Sequence, residues 1–258
     1  MRALFTAATG MKAQQLKVDN IANNLANVNT NGFKKSQAEF EDLYYQKVRT
    51  GTGQTQQGTG ANDQVEIGHG TRASQVRRIF TQGSFQSTGN ATDMAIQGDG
   101  FFAVNDADGN QLYTRTGNFT TDASGNLVLP NGFALADGIV IPAEGGDLAI
   151  GDDGIVKLTS GETTTELGQI QLHTFTNPSG LEAVGAGMYR ASEASGTVQT
   201  GIAGSEGYGS IGSGMLEMSN VEVAEELIAM IQAQRAYELT SKVIEASDEM
   251  LQTTNQLK

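Results

Sequence analysis

Few residues of this 258-residue chain are of a type and spacing that could do chemistry. It has two histidines, His69 and His173, and neither has a nucleophile or carboxylate nearby in a pattern that acid–base or triad catalysis uses. Gly207-Tyr208-Gly209-Ser210-Ile211-Gly212 matches Gly-x-Gly-x-x-Gly. A dinucleotide site would need a strand before it, a helix opening on its last glycine and an acidic residue about 20 positions later. Here the motif lies in a Gly-rich run that leads into a long helical pattern with no second strand, so it reads as a passage into that helix. Asp106-Ala107-Asp108-Gly109-Asn110 and Gly151-Asp152-Asp153-Gly154 resemble pieces of calcium loops, but neither continues to the twelfth-position glutamate, and both suit hairpin turns. The chain has no cysteine, which excludes disulfides, thiolate catalysis and Cys-ligated zinc. Two histidines cannot make a three-His site, and His-Glu-x-x-His is absent. Arg77-Arg78 is an isolated basic pair in a chain of net charge -13, a balance that argues against nucleic acid or an anionic membrane as partner. The expectation is therefore no catalytic, cofactor-binding or metal-ligating residue, and no small-molecule substrate.

The elements that would position these residues are marked by glycine. Of 33 glycines, two lie in residues 1–50, 31 in 51–214 and none after that. Because Gly costs about 1 kcal/mol in a helix interior, the ends read as helical and the middle does not. Leu4, Met11, Val18 and Leu25 recur every seven residues, interleaved with Ala7, Gln14, Ile21 and Val28, which is the narrow seam of a coiled coil. Asn31-Gly32 supplies a left-handed stop. At the other end Val223, Met230, Tyr237, Ile244 and Leu251 repeat the period, after a capping-box pattern at Ser219-x-x-Glu222. Small residues at Ala233, Thr240 and Ser247 would let a partner helix approach closely. The alternative is two ordinary core helices of a globular domain. Residues 1–35 carry five basic groups and one acidic, and residues 219–258 three basic and seven acidic, so the two ends attract each other.

Residues 31–75 read as a linker. Its 49–64 portion has no large apolar residue and is rich in Gly, Thr and Gln. From about 76 to 218 short apolar runs (Val76–Phe80, Met94–Ile96, Phe101–Val104, Leu127–Leu129, Ile139–Ile141, Ile155–Leu158, Ile170–Phe175) alternate with Asp108-Gly109, Ser124-Gly125, Asn131-Gly132, Asp137-Gly138 and Asp153-Gly154. Those dipeptides favour tight hairpins. The fold class expected is α+β: an N-terminal helix (1–30) and a C-terminal helix (219–258) pairing as a coiled coil, around a central antiparallel β domain. No stretch approaches the roughly 18 apolar residues of a membrane span. Met1–Gly10 makes a poor cleavable leader, leaving either a cytoplasmic protein or export without cleavage.

Certain strings are specific. Ala7-Ala8-Thr9-Gly10-Met11-x-Ala13-Gln14-Gln15, followed by Ile21 through Val28 and by Asn29-Thr30-x-Gly32-Phe33-Lys34, resembles the N-terminal signature of bacterial flagellar rod and hook proteins. Asn23, Asn24, Asn27, Asn29, Thr30, Gly32 and Phe33 carry that likeness. Ser219-Asn220-Val221 with Met230-Ile231-x-x-Gln234-Arg235-Ala236-Tyr237 is similar to the family's closing helix. Gln82-Gly83-x-Phe85, Gly98-x-Gly100-Phe101-Phe102 and Tyr113-Thr114-Arg115-x-Gly117-x-Phe119 resemble its middle. The length and the segment from Phe40 to Arg72 look most like the distal-rod members; Thr92, where the family tends to have Leu, departs from the pattern. The resemblance implies a structural subunit that polymerises into a rigid tubular drive shaft. It also implies location in the flagellar basal body and periplasm after type III export without leader cleavage. Implied partners are further copies of the chain, proximal rod proteins, the hook protein, a rod-capping protein and the surrounding peptidoglycan and outer-membrane rings. The alternatives are a proximal rod or hook subunit, or a secreted glycan-binding β module.

Overall fold

A computed structural model describes residues 2–48, 65–142, 146–161 and 163–256, with only the backbone described at Lys47, Val48 and Val65. The chain divides into two compact units: residues 1–25, 36–77 and 223–258 form one, and residues 26–35 and 78–222 the other. It therefore passes from one unit to the other four times.

The first unit holds α1 (Arg2–Ala26) and α2 (Val223–Gln256), together with β1 (Ser36–Asp42), β2 (Tyr45–Val48), β3 (Val65–Gly68) and β4, which runs Thr71–Arg78 and ends at the unit's boundary. The α1 pattern stops two residues earlier than the seam suggests, and Gly32 takes the left-handed φ of 68°. The C-terminal helix begins at Val223, so Ser219 is no helix cap. Its hydroxyl accepts from the Val221 amide at 3.3 Å inside the preceding turn. Glu225 and Glu226 instead put negative charge in the first turn, where the helix dipole favours it.

Most of residues 36–48 and 65–75, read from sequence as part of a linker, lie in strands. β1 pairs with β4, and β2 pairs antiparallel with β3 from Tyr45↔Gly68 to Val48↔Val65. The ribbon is held by polar contacts in place of an apolar core: Arg77 pairs with Glu39 at 2.9 Å, Gln75 donates to Glu39 at 2.8 Å, and Arg72 pairs with Glu41. Strands this charged carry no apolar alternation for a sequence reading to detect. The 49–64 segment lies outside the described residues.

The second unit is antiparallel β. It comprises β5 (Phe85–Ser87), β6 (Met94–Gln97), β7 (Phe102–Asn105), β8 (Gln111–Thr114), β9 (Thr120–Thr121), β10 (Leu127–Val128), β11 (Ala134–Leu135), β12 (Asp147–Ile150), β13 (Ile155–Ser160), β14 (Thr163–Gln169), β15 (Gln171–Phe175), β16 (Glu182–Gly185), β17 (Met188–Arg190), β18 (Val198–Ile202), β19 (Ser210–Ser213) and β20 (Met215–Glu217). A seven-stranded sheet has the order β16-β17-β8-β7-β11-β10-β9, flanked by the three-stranded β12-β13-β14 sheet and by the pairs β15-β18, β19-β6 and β20-β5. Strand alternation puts successive side chains on opposite faces. Phe102, Val104 and Leu112 accordingly enter one buried cluster, with Ile96, Phe119, Leu127, Val156, Ile170 and Ile211. Phe101, Ala103 and Tyr113 enter another, with Phe175, Leu181 and Tyr189. The five turn dipeptides all place their glycine at positive φ, from 64° at Gly138 to 87° at Gly132. Ile139–Ile141 is not a strand. It makes one isolated bridge, Asn126↔Val140, while Ile139 is buried in the larger cluster.

Candidate functional site

The residues of a type that does chemistry lie far apart in sequence, and several have contacts within the fold. His173 is 6% exposed, lies 3.0 Å from the Thr200 hydroxyl through Nδ1, and has its ring against Tyr113. Burial pushes its pKa below the ordinary histidine value. His69 is half-buried just after β3. The Gly-x-Gly-x-x-Gly motif runs into β19, which pairs with β6, and not into a helix. Gly209 is required by close approach: a Cβ there would lie 2.5 Å from the Gln97 carbonyl oxygen. Asp106 and Asp153 cap their own turns, accepting from the amides of Ala107 and Ile155 at 2.6 and 3.1 Å. Among the described residues, no group of three His, Asp or Glu side chains is placed to hold a metal ion. Arg77 reaches Glu39, whereas Arg78 lies over the Tyr189 ring at 5.4 Å, as opposite faces of a strand require.

What the helical unit builds is a pair of helices running in opposite directions. Gly10 meets Thr240, where an added Cβ would stand 3.7 Å from the threonine methyl, and Asn24 meets Glu226. The buried side of α2 is made of Glu226, Ala233 and Ser247, with Thr240 half-buried between them. Thr240 and Ser247 satisfy their hydroxyls on the carbonyls of Ala236 and Val243, both at 2.7 Å. Of the seam residues, Ile21 is buried, while Leu4, Met11, Val18, Leu25, Val28, Met230 and Ile244 are half-buried. Val223, Tyr237 and Leu251 are exposed on α2.

Asn24 is the polar centre of this unit, at 2% exposure. Its Oδ1 accepts from the Ser36 amide at 2.9 Å, and its Nδ2 donates to the Ser36 carbonyl at 2.9 Å and to Glu226 at 3.4 Å. Asn20 Nδ2 adds a donation to the Ser36 hydroxyl at 2.9 Å. One amide thus ties the end of α1 to the start of β1 and the first turn of α2. Asn27 receives the Thr30 hydroxyl at 3.2 Å within the turn after α1, and Thr30 N donates to Asn27 O at 3.1 Å. Gly32 is buried, Phe33 is half-buried, and Asn23, Asn29, Gln234 and Arg235 are exposed.

The β unit has its own buried polar junction, which the sequence reading did not single out. Lys34 is fully buried; its Nζ donates to Glu217 Oε1 at 2.6 Å and to the Thr81 carbonyl at 2.8 Å. Gly83 N donates to the same carboxylate oxygen at 3.0 Å. On the other side Arg115 Nη1 stands 3.6 Å from Glu217 Oε2, a charge pair without a formed hydrogen bond, and its guanidinium lies over Phe101. Burial lowers the Lys34 and Arg115 pKa values, and Glu217 opposes that shift in both. Asn220 completes the junction, accepting from the Lys35 amide at 2.7 Å and donating to the Ile79 carbonyl at 2.8 Å. Lys34 and Glu217 are 183 residues apart, so no local spacing announces them as partners.

Three family models match this chain: flagella basal body rod protein over residues 4–34, flagellar hook protein FlgE/F/G D1 domain over 95–158, and flagellar basal body rod FlgEFG protein C-terminal over 213–257. The chain is 49% identical to the flagellar basal-body rod protein FlgG of Borreliella burgdorferi over 100% of its own length and 99% of that protein. It is 44% identical to the FlgG of Buchnera aphidicola subsp. Baizongia pistaciae over 97% of each. The chain belongs to the flagellar rod and hook family. Within it the rod side matches more completely: the flagellar hook protein FlgE of Helicobacter mustelae is 41% identical over 52% of this chain and 30% of that protein.

Proposed function

We propose that this protein is a structural subunit of the distal part of the flagellar rod, polymerising with its own copies into the rigid tube that passes motor torque to the hook. The observation that carries this reading is end-to-end similarity to rod proteins, set against partial similarity to a hook protein. The helical unit supports it, because α2 leaves Leu227, Ile228, Ile231, Leu239, Val243 and Met250 at 44% exposure or more. Apolar side chains in such number along one helix mark an interaction surface. In this reading α1 and α2 pack with neighbouring helices as a coiled-coil-like tube. The proximal rod proteins and the hook protein then flank the tube along its axis. A rod-capping protein attends growth, and the peptidoglycan and outer-membrane rings surround it in the periplasm, which the subunit reaches by type III export without leader cleavage. No helix among the described residues is long and apolar enough to cross a membrane.

Immunogold labelling of purified basal bodies tests the placement. Label is expected on the rod next to the hook; label on the hook or at the motor end would overturn it. The same strain carrying Met230→Asp or Tyr237→Asp should assemble no distal rod and should not swim.

A further inference from the structure

Arg115 is held in the β unit on unusual terms. It is 3% exposed, yet its Nε and Nη1 form no hydrogen bond among the described residues. A guanidinium has five N–H donors, and a buried polar group left without partners calls for a reason, an unrecognised ligand among them. The buried charges around it are also out of balance. Lys34, Arg115 and Glu217 are 0%, 3% and 1% exposed, which sets two buried cations against one buried carboxylate. Asp99 attracts Arg115 as well, but from an exposed position where water solvates it. Beside the guanidinium, wholly within the β unit, lies a cavity of about 390 Å³. Arg115 and Asp99 are its charged lining, Phe80, Phe101, Phe175 and Pro178 its apolar walls, and Glu217 does not line it. The three rings brace one another edge to face: Phe80 and Phe175 meet Phe101 at 5.5 and 5.6 Å, and the Arg115 guanidinium lies over Phe101 at 5.3 Å. Apolar walls around one strong donor, at this volume, are the make-up of a small-ligand site.

We propose that this cavity binds a small carboxylate with an apolar ring, the carboxylate on Arg115 and the ring among the three phenyl groups. The planar guanidinium fork matches the two oxygens of a carboxylate, and charge-assisted hydrogen bonds of this kind are the strong ones. One added negative charge balances the buried set. A sulfate or phosphate would bring more charge than the set lacks and no ring to fill the walls. Asp99 limits the affinity by repelling the incoming anion, and exposure to water weakens that repulsion without removing it. The site is independent of the rod reading, because it belongs to the single chain.

Benzoate is the probe, with benzamide, its neutral counterpart of similar shape, as the control. Titrated into the purified full chain in a calorimeter, benzoate should bind saturably at one site and should raise the unfolding temperature as its concentration rises. Benzamide should bind about tenfold more weakly or worse. No binding of benzoate, the result of a cavity that holds only water, would overturn the proposal, and so would benzamide binding as well as benzoate. Arg115→Met keeps the length of the side chain without its charge and should abolish benzoate binding; undiminished binding by that variant would refute the site. Where Arg115→Met does not fold, Asp99→Asn decides the matter, since its position is exposed. Removing the repelling carboxylate should tighten benzoate binding about threefold with an unchanged circular dichroism spectrum. Equal or weaker binding by Asp99→Asn would place the anion elsewhere and overturn the proposal.

Discussion

In the β unit, Met94, Ile96, Phe102, Val104 and Ile170 have no exposed surface, whereas in the helical unit Leu239 and Met250 are each 63% exposed. Two buried clusters occupy the β unit, one on each face of β7 and β8, and edge-to-face rings (Phe102 with Phe119, Tyr113 with Phe175) tighten both. The helical unit buries mainly Ala7, Ala13, Ile21 and Ala233, small contacts for helices of 25 and 34 residues. Apolar surface left in water forgoes roughly 25 cal/mol per Å², so each half-exposed large side chain on α2 holds back on the order of 1 kcal/mol until something covers it. The difference teaches that one unit is stabilised by its own interior and the other is built to be completed from outside.

The sharpest way to break that contrast is through the Lys34–Glu217–Arg115 junction. Glu217→Ala leaves two buried cations without their carboxylate, and removing one partner of a buried pair costs about 3–5 kcal/mol. Urea unfolding followed by near-UV dichroism of Tyr113 and Tyr189 should show that loss; a change under about 1 kcal/mol would mean the junction contributes little to the β unit.

Asn24→Ala tests the helical unit at its buried polar anchor. It strands the Ser36 amide and carbonyl, for an expected cost of about 2 kcal/mol. Hydrogen exchange should rise at Ser36 and in the first turn of α2, and unchanged protection there would argue that packing alone holds the helices.

The smallest effect has the opposite sign. Burial raises the Asp137 pKa to about 6, opposed by the Gln171 amide that donates to it at 3.2 Å. The folded state therefore binds more protons than the unfolded chain between the ordinary carboxylate value of about 4 and about 6, and stability falls as pH rises through that window. Asp137→Asn should be more stable than wild type by up to about 2 kcal/mol at about pH 7, with the gain vanishing below about pH 4. Thermal unfolding at the two pH values checks it.

Much of this contrast was legible in the sequence, and its gaps have physical causes. Segregated glycine separated helical ends from a β middle, and Asp-Gly and Asn-Gly dipeptides located turns because φ > 0 demands such residues. The ribbon was missed because Ser36–Asp42 alternates with half-buried polar groups where a core strand would show apolar ones. On α2 one side buries small residues and the other leaves large apolar ones exposed, a division that the seven-residue seam does not describe. Asn24 stood out in a recognisable string, yet its partner Ser36 did not, and the burial of Lys34 on Glu217 belongs wholly to tertiary structure.

The four passages of the chain between the units have a mechanical meaning. Four backbone passages join the units, where a protein with one linker would have a single one. A nick at any one passage leaves three intact, and untying the units takes four cuts.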